Sequence, residues 1–540
     1  MANYGHAGEY LTEKDISQQV PSVASTSAAI VGYSAKGDPD KVILVTDQTS
    51  FEKEFGQPVV GNWFHYAARA YLSVGNQLYC QRVQSGALYG GVAIAQSGGT
   101  NRQFVAGQPE AGFFIDSMYP NTEFYVFGRD PGVWNNGLAV TIAVVSAALY
   151  TFSITVWIKN KSGAWTVAEK PWTVSRVPQL DGFGNQMYLE TVINGFSNYI
   201  RVADNTGVAG TVMPQPAATP LQLTYGSDGN TVTDAMIATA WSVFANKNAY
   251  NIRMLINGGR TGLAVHNAMI ALSKTRADCE ALLDMPSSVL GSAQNMADYR
   301  NNTLMADSSF AELFTPWILI SDQYSGQMLA VPPSGYAAAL IAYANYVSTP
   351  WAAAAGFTRA NLNIFGEVIG ICDANRNRLV FDDGEMDILD GAQINYFQVF
   401  AGRGNVLWNE DTLQVTDSAL SSAHIRRLLI YLETNLGPSL LAYGWEPNDS
   451  ATRFRLTAEF EQFCATVSAQ GGFQTTTQDP KGYQIVCDET NNTPATIDQQ
   501  QLIVWLFVKP IRVAKYLPFQ VVITPTGVSF SELINQGVVF

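Results

Sequence analysis

The uncharged stretch at residues 138–158 poses the first question about the fold, because 21 uncharged residues can span a bilayer as a helix. Its second half reads Tyr150-Thr-Phe-Ser-Ile-Thr-Val-Trp-Ile158, in which apolar side chains alternate with hydroxyl side chains. A period of two is typical of a β-strand with one buried face and not of a membrane helix. We therefore expect two strands joined by a bend near residues 146–148, and no membrane insertion.

The length and charge of the chain limit its class. A chain of 540 residues is too long for one core, because cores stop growing at about 250–300 residues, so several domains are expected. Only 14% of the residues are charged, against roughly 25% in ordinary soluble domains, which favours a protein that covers its surface with partners. The net charge of −14 argues against a nucleic-acid partner, since phosphate binding needs clustered Lys and Arg. The first 15 residues are polar and lack the apolar region of a signal peptide.

Motifs for metal, cofactor or nucleophile chemistry are absent from the sequence. The four histidines fall in no zinc-binding spacing, and no nucleophile elbow, phosphate loop or dinucleotide fingerprint occurs. The five cysteines form no CxxC pair and are interpreted as buried thiols in a reducing compartment. We expect no enzyme activity, no cofactor and no metal.

Two segments nevertheless resemble functional sites. Asp373, Asn375 and Asn377 have the spacing of a calcium loop, but the later glycine and glutamate of such a loop are missing, so a solvated acidic loop is favoured. Ser334 precedes a predicted helix and is interpreted as its N-cap. A hydrolase that uses Ser334 or the acidic residues 382–390 is the alternative from another class.

The hydrophobic pattern predicts an α/β chain with a β-rich interruption. A strand at 42–45, a helix at 62–74 and a strand at 78–83 open it, and residues 86–224 have the Gly, Thr, Val and Tyr content of strands. Helices at 234–245, 263–276 and 335–346 then alternate with strands at 252–256 and 281–283. An apolar stripe at 425–436 predicts a helix that ends at Gly437-Pro438. A second helix follows between the caps Asn448-Asp449 and Gly471-Gly472, and then strands at 484–487 and 502–508.

Several short motifs occur in an order that carries a family resemblance. They include Asp130-Pro-Gly-Val-Trp-Asn-Asn136, Gly226-Ser-Asp-Gly229, Asp278-Cys-Glu-Ala-Leu-Leu-Asp284, Gly402-Arg-Gly-Asn-Val-Leu-Trp408 and Cys487-Asp-Glu-Thr-Asn-Asn492. In this order the chain resembles the tail sheath proteins of contractile bacteriophages, a family shared with R-type bacteriocins. It departs from the family at Asn409-Glu-Asp-Thr-Leu413, where relatives have Gly-Ala-Arg-Thr-Leu. It departs again at Val513-Ala-Lys515, where relatives often carry Pro-Ala-Glu.

The resemblance implies an α/β and α+β multidomain fold with a subtilisin-like α/β core. The expected parts are a linking arm (1–25), the first part of the α/β sheath domain (26–85), an inserted β-rich outer domain (86–225), the rest of the subtilisin-like sheath domain (226–405), a C-terminal α+β domain facing the tube (406–516) and a second linking arm (517–540).

The resemblance also implies a function. Six-subunit rings of such a protein stack helically around the tail tube and contract from a metastable extended state to drive the tube through the host envelope. The implied partners are further copies of the chain, the tail tube protein, the baseplate, and tail-terminator or neck proteins. The implied location is the virion tail, assembled in the bacterial cytoplasm. A bacteriocin or secretion-like sheath and a rigid, non-contractile tube remain as alternatives.

Two groups of residues are the candidate sites. The alternating ends of the chain predict arms that pair as strands with neighbouring subunits, through Glu9, Tyr10, Leu11, Thr12, Phe519, Val521, Ile523, Val528 and Phe530. Basic residues concentrated in the C-terminal part are the candidate contacts to an acidic tube, namely Arg426, Arg427, Lys509, Arg512 and Lys515.

Overall fold

The computed structural model describes residues 26–106, 121–160 and 162–517. Within them the chain is a mixed α/β protein with several sheets, as the sequence predicts. The strands, in chain order, are β1 (Ala28–Tyr33), β2 (Ile43–Val45), β3 (Leu78–Val83), β4 (Tyr89–Ala95), β5 (Arg102–Ala106), β6 (Thr122–Gly128), β7 (Leu138–Ser146), β8 (Thr151–Lys159), β9 (Trp165–Val167), β10 (Trp172–Ser175), β11 (Ile200–Asp204), β12 (Ala217–Gln222), β13 (Met254–Ile256), β14 (Glu280–Asp284), β15 (Ala311–Thr315), β16 (Trp317–Ser321), β17 (Met328–Val331), β18 (Val368–Cys372), β19 (Asn395–Phe400), β20 (Gly404–Leu407), β21 (Tyr483–Val486) and β22 (Trp505–Val508).

The α-helices lie mostly between these strands, as in other α/β folds. In chain order they are α1 (Gln48–Phe55), α2 (Trp63–Leu72), α3 (Leu189–Phe196), α4 (Asp234–Ala240), α5 (Leu263–Arg276), α6 (Ala293–Asp298), α7 (Ser334–Val347), α8 (Asp383–Gly391), α9 (Ala423–Ala442), α10 (Ser450–Ala469) and α11 (Pro494–Asp498).

The body of the protein is a sheet with the strand order β2-β3-β1-β13-β14-β15-β19-β20. The strands from β3 to β19 run parallel to their neighbours. From β1 the chain first reaches β3 on one side and later β13 on the other, so the direction of winding reverses at β1. The apolar sequences of β1 and β14 are buried on both faces, as strands covered by helices on both sides must be.

Helices cover the two faces of this sheet. On one face α2 and α7 pack together so closely that a Cβ on Gly335 would lie 2.5 Å from the carbonyl oxygen of Ala67. On the other face α4 and α5 bury Ile237, Val265 and Met269 against the sheet. Each face thus has its own apolar core.

Between residues 89 and 222 the described strands form two antiparallel sheets that share one core. Their strand orders are β11-β6-β4-β5 and β10-β8-β7-β12, with β9 added beside β8. Phe124 of the first sheet stacks on Phe152 of the second with 5.5 Å between ring centroids. The uncharged run at 138–158 is therefore the hairpin β7–β8, which confirms the two predicted strands. Among the described residues no helix has the length and apolar character needed to cross a membrane.

The C-terminal part combines α9, α10 and the hairpin β21–β22 around a separate core. Asp449 caps α10 by accepting from the backbone N–H of Thr452 at 2.7 Å, as predicted. The prediction that the preceding helix ends at Gly437-Pro438 is wrong, because α9 continues to Ala442. Leu436 and Tyr443, on either side of Pro438, are both buried in this core, and their packing offsets the hydrogen bond that proline cannot donate.

A joint between the body and the β-rich sheets is built from two of the sequence motifs. The backbone N–H of Val133 donates to Asp228 Oδ1 at 2.8 Å, and the backbone N–H of Gly226 donates to Asn136 Oδ1 at 2.9 Å. The side chain of the buried Asn135 donates to the carbonyls of Asp130 and Gly132 at 2.9 and 2.6 Å. The motifs at 130–136 and 226–229 therefore meet where the chain leaves and re-enters the body.

Replacement of Gly226 by alanine should loosen this joint. A Cβ at this position would lie 2.4 Å from the carbonyl oxygen of Gly132, so backbone must move, at a cost of about 1–3 kcal/mol. A lower thermal midpoint and faster proteolysis between the two parts are expected for Gly226→Ala. The matched control is Gly137→Ala, where a Cβ meets nothing within 4 Å. Equal stability of the two variants would contradict the packing argument.

Candidate assembly surfaces and buried charge clusters

The predicted arm residues Glu9, Tyr10, Leu11, Thr12, Phe519, Val521, Ile523, Val528 and Phe530 lie outside the described residues. The described chain begins beside the centre of the main sheet, where Ser27 accepts hydrogen bonds from the backbone N–H groups of Arg253 and Met254 at 2.8 and 3.1 Å. It ends at Leu517, whose side chain is exposed. The strand-pairing role of the arms stays a prediction.

Arg427 lies at the amino ends of the central strands and not at the surface. Its guanidinium pairs with Glu312 at 3.3 Å and Glu280 at 3.6 Å, and also with Glu410. Glu280 and Glu312 stand at the start of β14 and β15, and Arg427 stands in the first turns of α9. This cluster therefore joins the C-terminal helix pair to the main sheet.

This cluster places three carboxyl groups around the one guanidinium of Arg427. Burial raises the pKa of both Glu280 and Glu312, so these two acids retain a proton more readily than exposed glutamates do. Burial also lowers the pKa of the neighbouring His424, which favours a neutral imidazole near pH 7. The single guanidinium of Arg427 is therefore the cation that pairs with all three acids.

The other four basic residues predicted to contact a tube differ in burial and in their partners. Arg426 is buried, stacks on Phe310 at 4.1 Å and pairs with Glu433 at 3.4 Å. Lys509 pairs with Asp479, and Lys515 pairs with two aspartates. Arg512 is exposed and has no ion pair within the described part of the chain. The five residues do not form one basic surface, and their contact with a tube stays a prediction.

Ser334 has a different role from the predicted N-cap. Its hydroxyl donates to Asp284 Oδ2 at 2.7 Å and accepts from the backbone N–H of Gly258 at 3.1 Å. The free N–H at the start of α7 is satisfied instead by Asp284 Oδ1, 2.6 Å from Ser334 N. Asp284, at the end of β14, therefore caps the helix from a neighbouring strand. The sequence placed the cap on the wrong residue because the true acceptor is 50 residues away.

The same geometry argues against a serine nucleophile. The Ser334 side chain is fully buried, and its partners within the described residues are a carboxylate and a backbone amide, not an imidazole. In the acidic loop, Asp373 Oδ1 accepts from the backbone N–H groups of Asn375 and Asn377, so this carboxylate closes its own turn. Among the described residues no group of three or more His, Cys, Asp or Glu is placed to hold a metal ion. The five cysteines are free and buried, as predicted.

The hairpin β21–β22 is a sheet of two strands, and no third strand of the described residues pairs with either edge. Trp505 and Phe507 lie on one side of β22 and are about half exposed, at 49% and 55%. Leu506 and Val508 point the other way and pack against the C-terminal core. The hairpin therefore combines a fixed inner face with free edges and an apolar outer face.

The sequence comparisons find tail sheath proteins. The tail sheath protein of Enterobacteria phage T4 is 28% identical over 334 residues, which cover 58% of this chain and 48% of that protein. The tail sheath protein of Vibrio phage KVP40 is 27% identical over 287 residues, covering 50% of this chain and 40% of that protein. The chain thus spans about half the length of the curated relatives it matches. No family model matches the chain.

Solved structures share the fold over most of the chain. The sheath tail protein of Listeria innocua has a TM-score of 0.55 and 11% identity, with coverage of 88% of this chain and 91% of that one. The helical sheath of the anti-feeding prophage in its contracted state has a TM-score of 0.54 and 14% identity, covering 95% and 98%. The chain is therefore similar in sequence to phage tail sheath proteins and shares the fold of solved sheath proteins. In this fold the buried Ser334 is a packing residue.

Removal of the Arg427 side chain should strongly destabilise the protein. Arg427→Ala would leave three buried acids without their cation, which costs about 3–5 kcal/mol when a buried pair is broken. The free energy of unfolding, measured by chemical denaturation, tests this. Arg455→Ala is the control, because the Arg455–Glu446 pair is exposed and should contribute less than about 1 kcal/mol. Similar losses in both variants would refute the role of the cluster.

Asp284 should make stability depend on pH. Burial raises its pKa from 3.8 to about 6, so the folded chain binds this proton more tightly than the unfolded chain. The stability that this proton contributes is complete below pH 4 and is lost as the pH rises through 6. Relative to Asp284→Asn, the wild-type chain should lose about 2 kcal/mol of unfolding free energy between pH 4.5 and 7. A difference that does not change over this range would contradict the buried carboxyl.

Proposed function

We propose that this protein is the repeating subunit of a contractile tail sheath. Copies form six-subunit rings that stack helically around a tail tube, and the sheath contracts to drive the tube through a host envelope. Tail sheath relatives in two phages and the fold shared with contracted sheaths support this proposal. The α/β body is the subtilisin-like sheath domain of this scheme, residues 86–225 are its outer domain, and the virion tail is its location.

The partners follow from the same scheme. They are further copies of the chain, a tail tube protein, a baseplate, and tail-terminator or neck proteins. Structural neighbours include chains from anti-feeding prophage baseplates, which supports the baseplate contact. The low charge content of the chain supports extensive burial between copies, because charged surface is costly to desolvate.

The arms at 8–16 and 517–535 link subunits by adding strands to a neighbour. The hairpin β21–β22 is the acceptor that the described residues offer, because it has free edges and an exposed apolar face. Each added strand contributes backbone hydrogen bonds, and its alternate side chains cover Trp505 and Phe507. Such links bend without breaking, so the rings rotate and widen as one connected mesh.

The energy for contraction is stored in the packing of subunits. The sequence carries no phosphate-binding loop, so a nucleotide does not supply it. The extended sheath is a metastable arrangement, and the contracted sheath buries more surface between copies. The solved sheaths of the anti-feeding prophage and of the PVC system in the contracted state support a second arrangement of this fold.

Deletion of residues 527–540 should separate folding from assembly. The truncated chain keeps every described element, so its circular dichroism and thermal midpoint should match those of the full chain. Without the C-terminal arm it should form no sheath polymers in electron micrographs. Normal polymers from the truncated chain would refute the linking role of this arm.

A charge on the outer face of the hairpin should block the same step. Phe507→Asp places a carboxylate where an added strand would cover the ring, and polymer yield should fall at least about tenfold, as for a buried unpaired charge. Because Phe507 is half exposed in the single chain, the monomer should remain folded. Phe507→Tyr keeps the ring and should assemble normally. Polymers of Phe507→Asp at wild-type yield would exclude the hairpin as acceptor.

A sheath of a bacteriocin or a secretion-like injection device is the second candidate. This chain covers 94% of the sheath tail protein from Desulfitobacterium hafniense and 98% of the sheath chains of the anti-feeding prophage and the PVC injection system, but about half of the phage relatives. The two candidates share the subunit mechanism. Electron microscopy of purified particles distinguishes them by the presence or absence of a DNA-filled capsid.

A further inference from the structure

The segment after β22 is attached to the protein at two separated places. The carbonyl of Lys509 accepts from the backbone N–H of Gln474 at 2.7 Å, and the backbone N–H of Ile511 donates to the carbonyl of Gly472 at 3.2 Å. Residues 512–514 are exposed and make no hydrogen bond within the described part of the chain. The next attachment is the side chain of Lys515, which reaches the α/β body and not the C-terminal core.

The Lys515 ammonium sits between two carboxylates. Its Nζ lies 2.8 Å from Asp411 Oδ2 and 3.1 Å from Asp390 Oδ2. Asp390 belongs to α8, and Asp411 lies between β20 and α9. Without the lysine, the two aspartates would face each other with no cation among the described residues to pair with them.

The receiving side of this contact is rigid. The backbone N–H of Asp411 donates to Asn395 Oδ1 at 2.6 Å, and the Asn395 amide returns a hydrogen bond to the Asp411 carbonyl at 2.9 Å. Asn395 is fully buried in β19 and also donates to Glu312 of the Arg427 cluster at 3.1 Å. Asn409 holds the Asp411 carboxylate itself at 3.0 Å. Asp390 and Asp411 form a socket for Lys515 that is part of the body. The Lys515 side chain itself is about a third exposed, at 36%.

We propose that Lys515 is a releasable anchor that fixes the root of the C-terminal arm to the body and holds back residues 512–515 as spare chain length, or slack. A rigid socket and a partly exposed ammonium make a contact that forms reproducibly but is screened by salt. When the anchor opens, residues 512–515 join the free arm, and at about 3.3 Å per residue these four residues add about 13 Å of reach.

This inference rests on the proposed function, because slack matters only if the arm stays bonded to a neighbour while subunit spacing changes. With the anchor closed, the point at which the arm leaves the body is fixed, which suits the extended sheath. With the anchor open, the same bond spans a longer or differently directed gap. Lys515 is thus a positioning residue for the arm and does not itself take part in the strand contacts.

Trypsin tests the anchor in the unassembled full-length chain. Cleavage after Lys515 requires the lysine to enter the protease, whereas Arg512, three residues earlier, is exposed and unpaired within the described residues. The ratio of the two initial cleavage rates therefore reports the anchor. Asp411→Asn and Asp390→Asn should each raise the relative rate at Lys515 about tenfold, since about 1.4 kcal/mol of lost attraction is a factor of ten. Asp479→Asn is the matched control, because it removes the partner of Lys509 on the same stretch and should leave the ratio unchanged.

Sheath assembly tests the slack. Lys515→Glu repels both aspartates and should at least double the fraction of contracted sheaths among freshly assembled particles. Lys515→Arg keeps the charge and should restore the wild-type fraction. Lys515→Glu combined with Asp411→Lys replaces the anchor with a reversed pair and should also recover extended sheaths.

The experiments test the anchor, the slack and the proposed function separately. An unchanged trypsin ratio in both aspartate variants overturns the anchor and leaves the proposed function intact. A changed ratio with a wild-type proportion of extended sheaths in Lys515→Glu overturns the role in slack. If the wild-type chain forms no sheath under any condition, the proposed function fails, whereas the trypsin result still decides the anchor.

Discussion

The ion cluster around Arg427 is the contact on which the arrangement of the parts depends. A single guanidinium from α9 is shared by acids at the starts of β14 and β15 and by Glu410 after β20. Because these groups are buried, the loss of one partner costs far more than the net contribution of the whole cluster. The cluster therefore defines the position of the C-terminal helices more than it adds to stability. Asn395 bonds to both Glu312 and Asp411. It therefore also fixes the carboxylate that binds Lys515, and with it the start of the C-terminal arm, relative to the sheet.

Local sequence patterns predicted helices and strands well where the local signal agrees with the tertiary packing of the element. The alternation at 150–158 predicted β8, and the caps around 448–472 predicted α10, because each signal acts within a few residues. The end of α9 was missed since Pro438 is a strong local stop signal, and the burial of Leu436 and Tyr443 that overrides it is a tertiary effect. The helix cap at Ser334 was misassigned for the same reason.

The surroundings of charged residues could not be predicted from local pattern. Arg426 and Arg427 look like a basic surface in the sequence, but their buried surroundings include Phe310, Glu280 and Glu312, more than 100 residues earlier. One signal was present: Glu280 and Glu312 stand at the starts of two buried, largely apolar strands, where an unpaired charge is too costly to keep. An acid in a buried strand predicts a distant partner, although not which one. The motifs at 130–136 and 226–229 were read as family signals, and their physical role as the two sides of one joint required the fold.

The reversal of winding at β1 has a consequence for synthesis on the ribosome. β1 pairs at once with β3, but its other neighbour is β13, which begins at Met254, more than 200 residues after Ala28. At about 5–20 residues per second, the apolar edge of β1 waits for roughly 10–45 s before its partner emerges. Two antiparallel sheets with their own core are made during this interval and can fold as a unit, since most of their pairings are local. An unpaired edge strand is a site for association with other chains, so newly made copies are most prone to misassembly before residue 256 has left the ribosome.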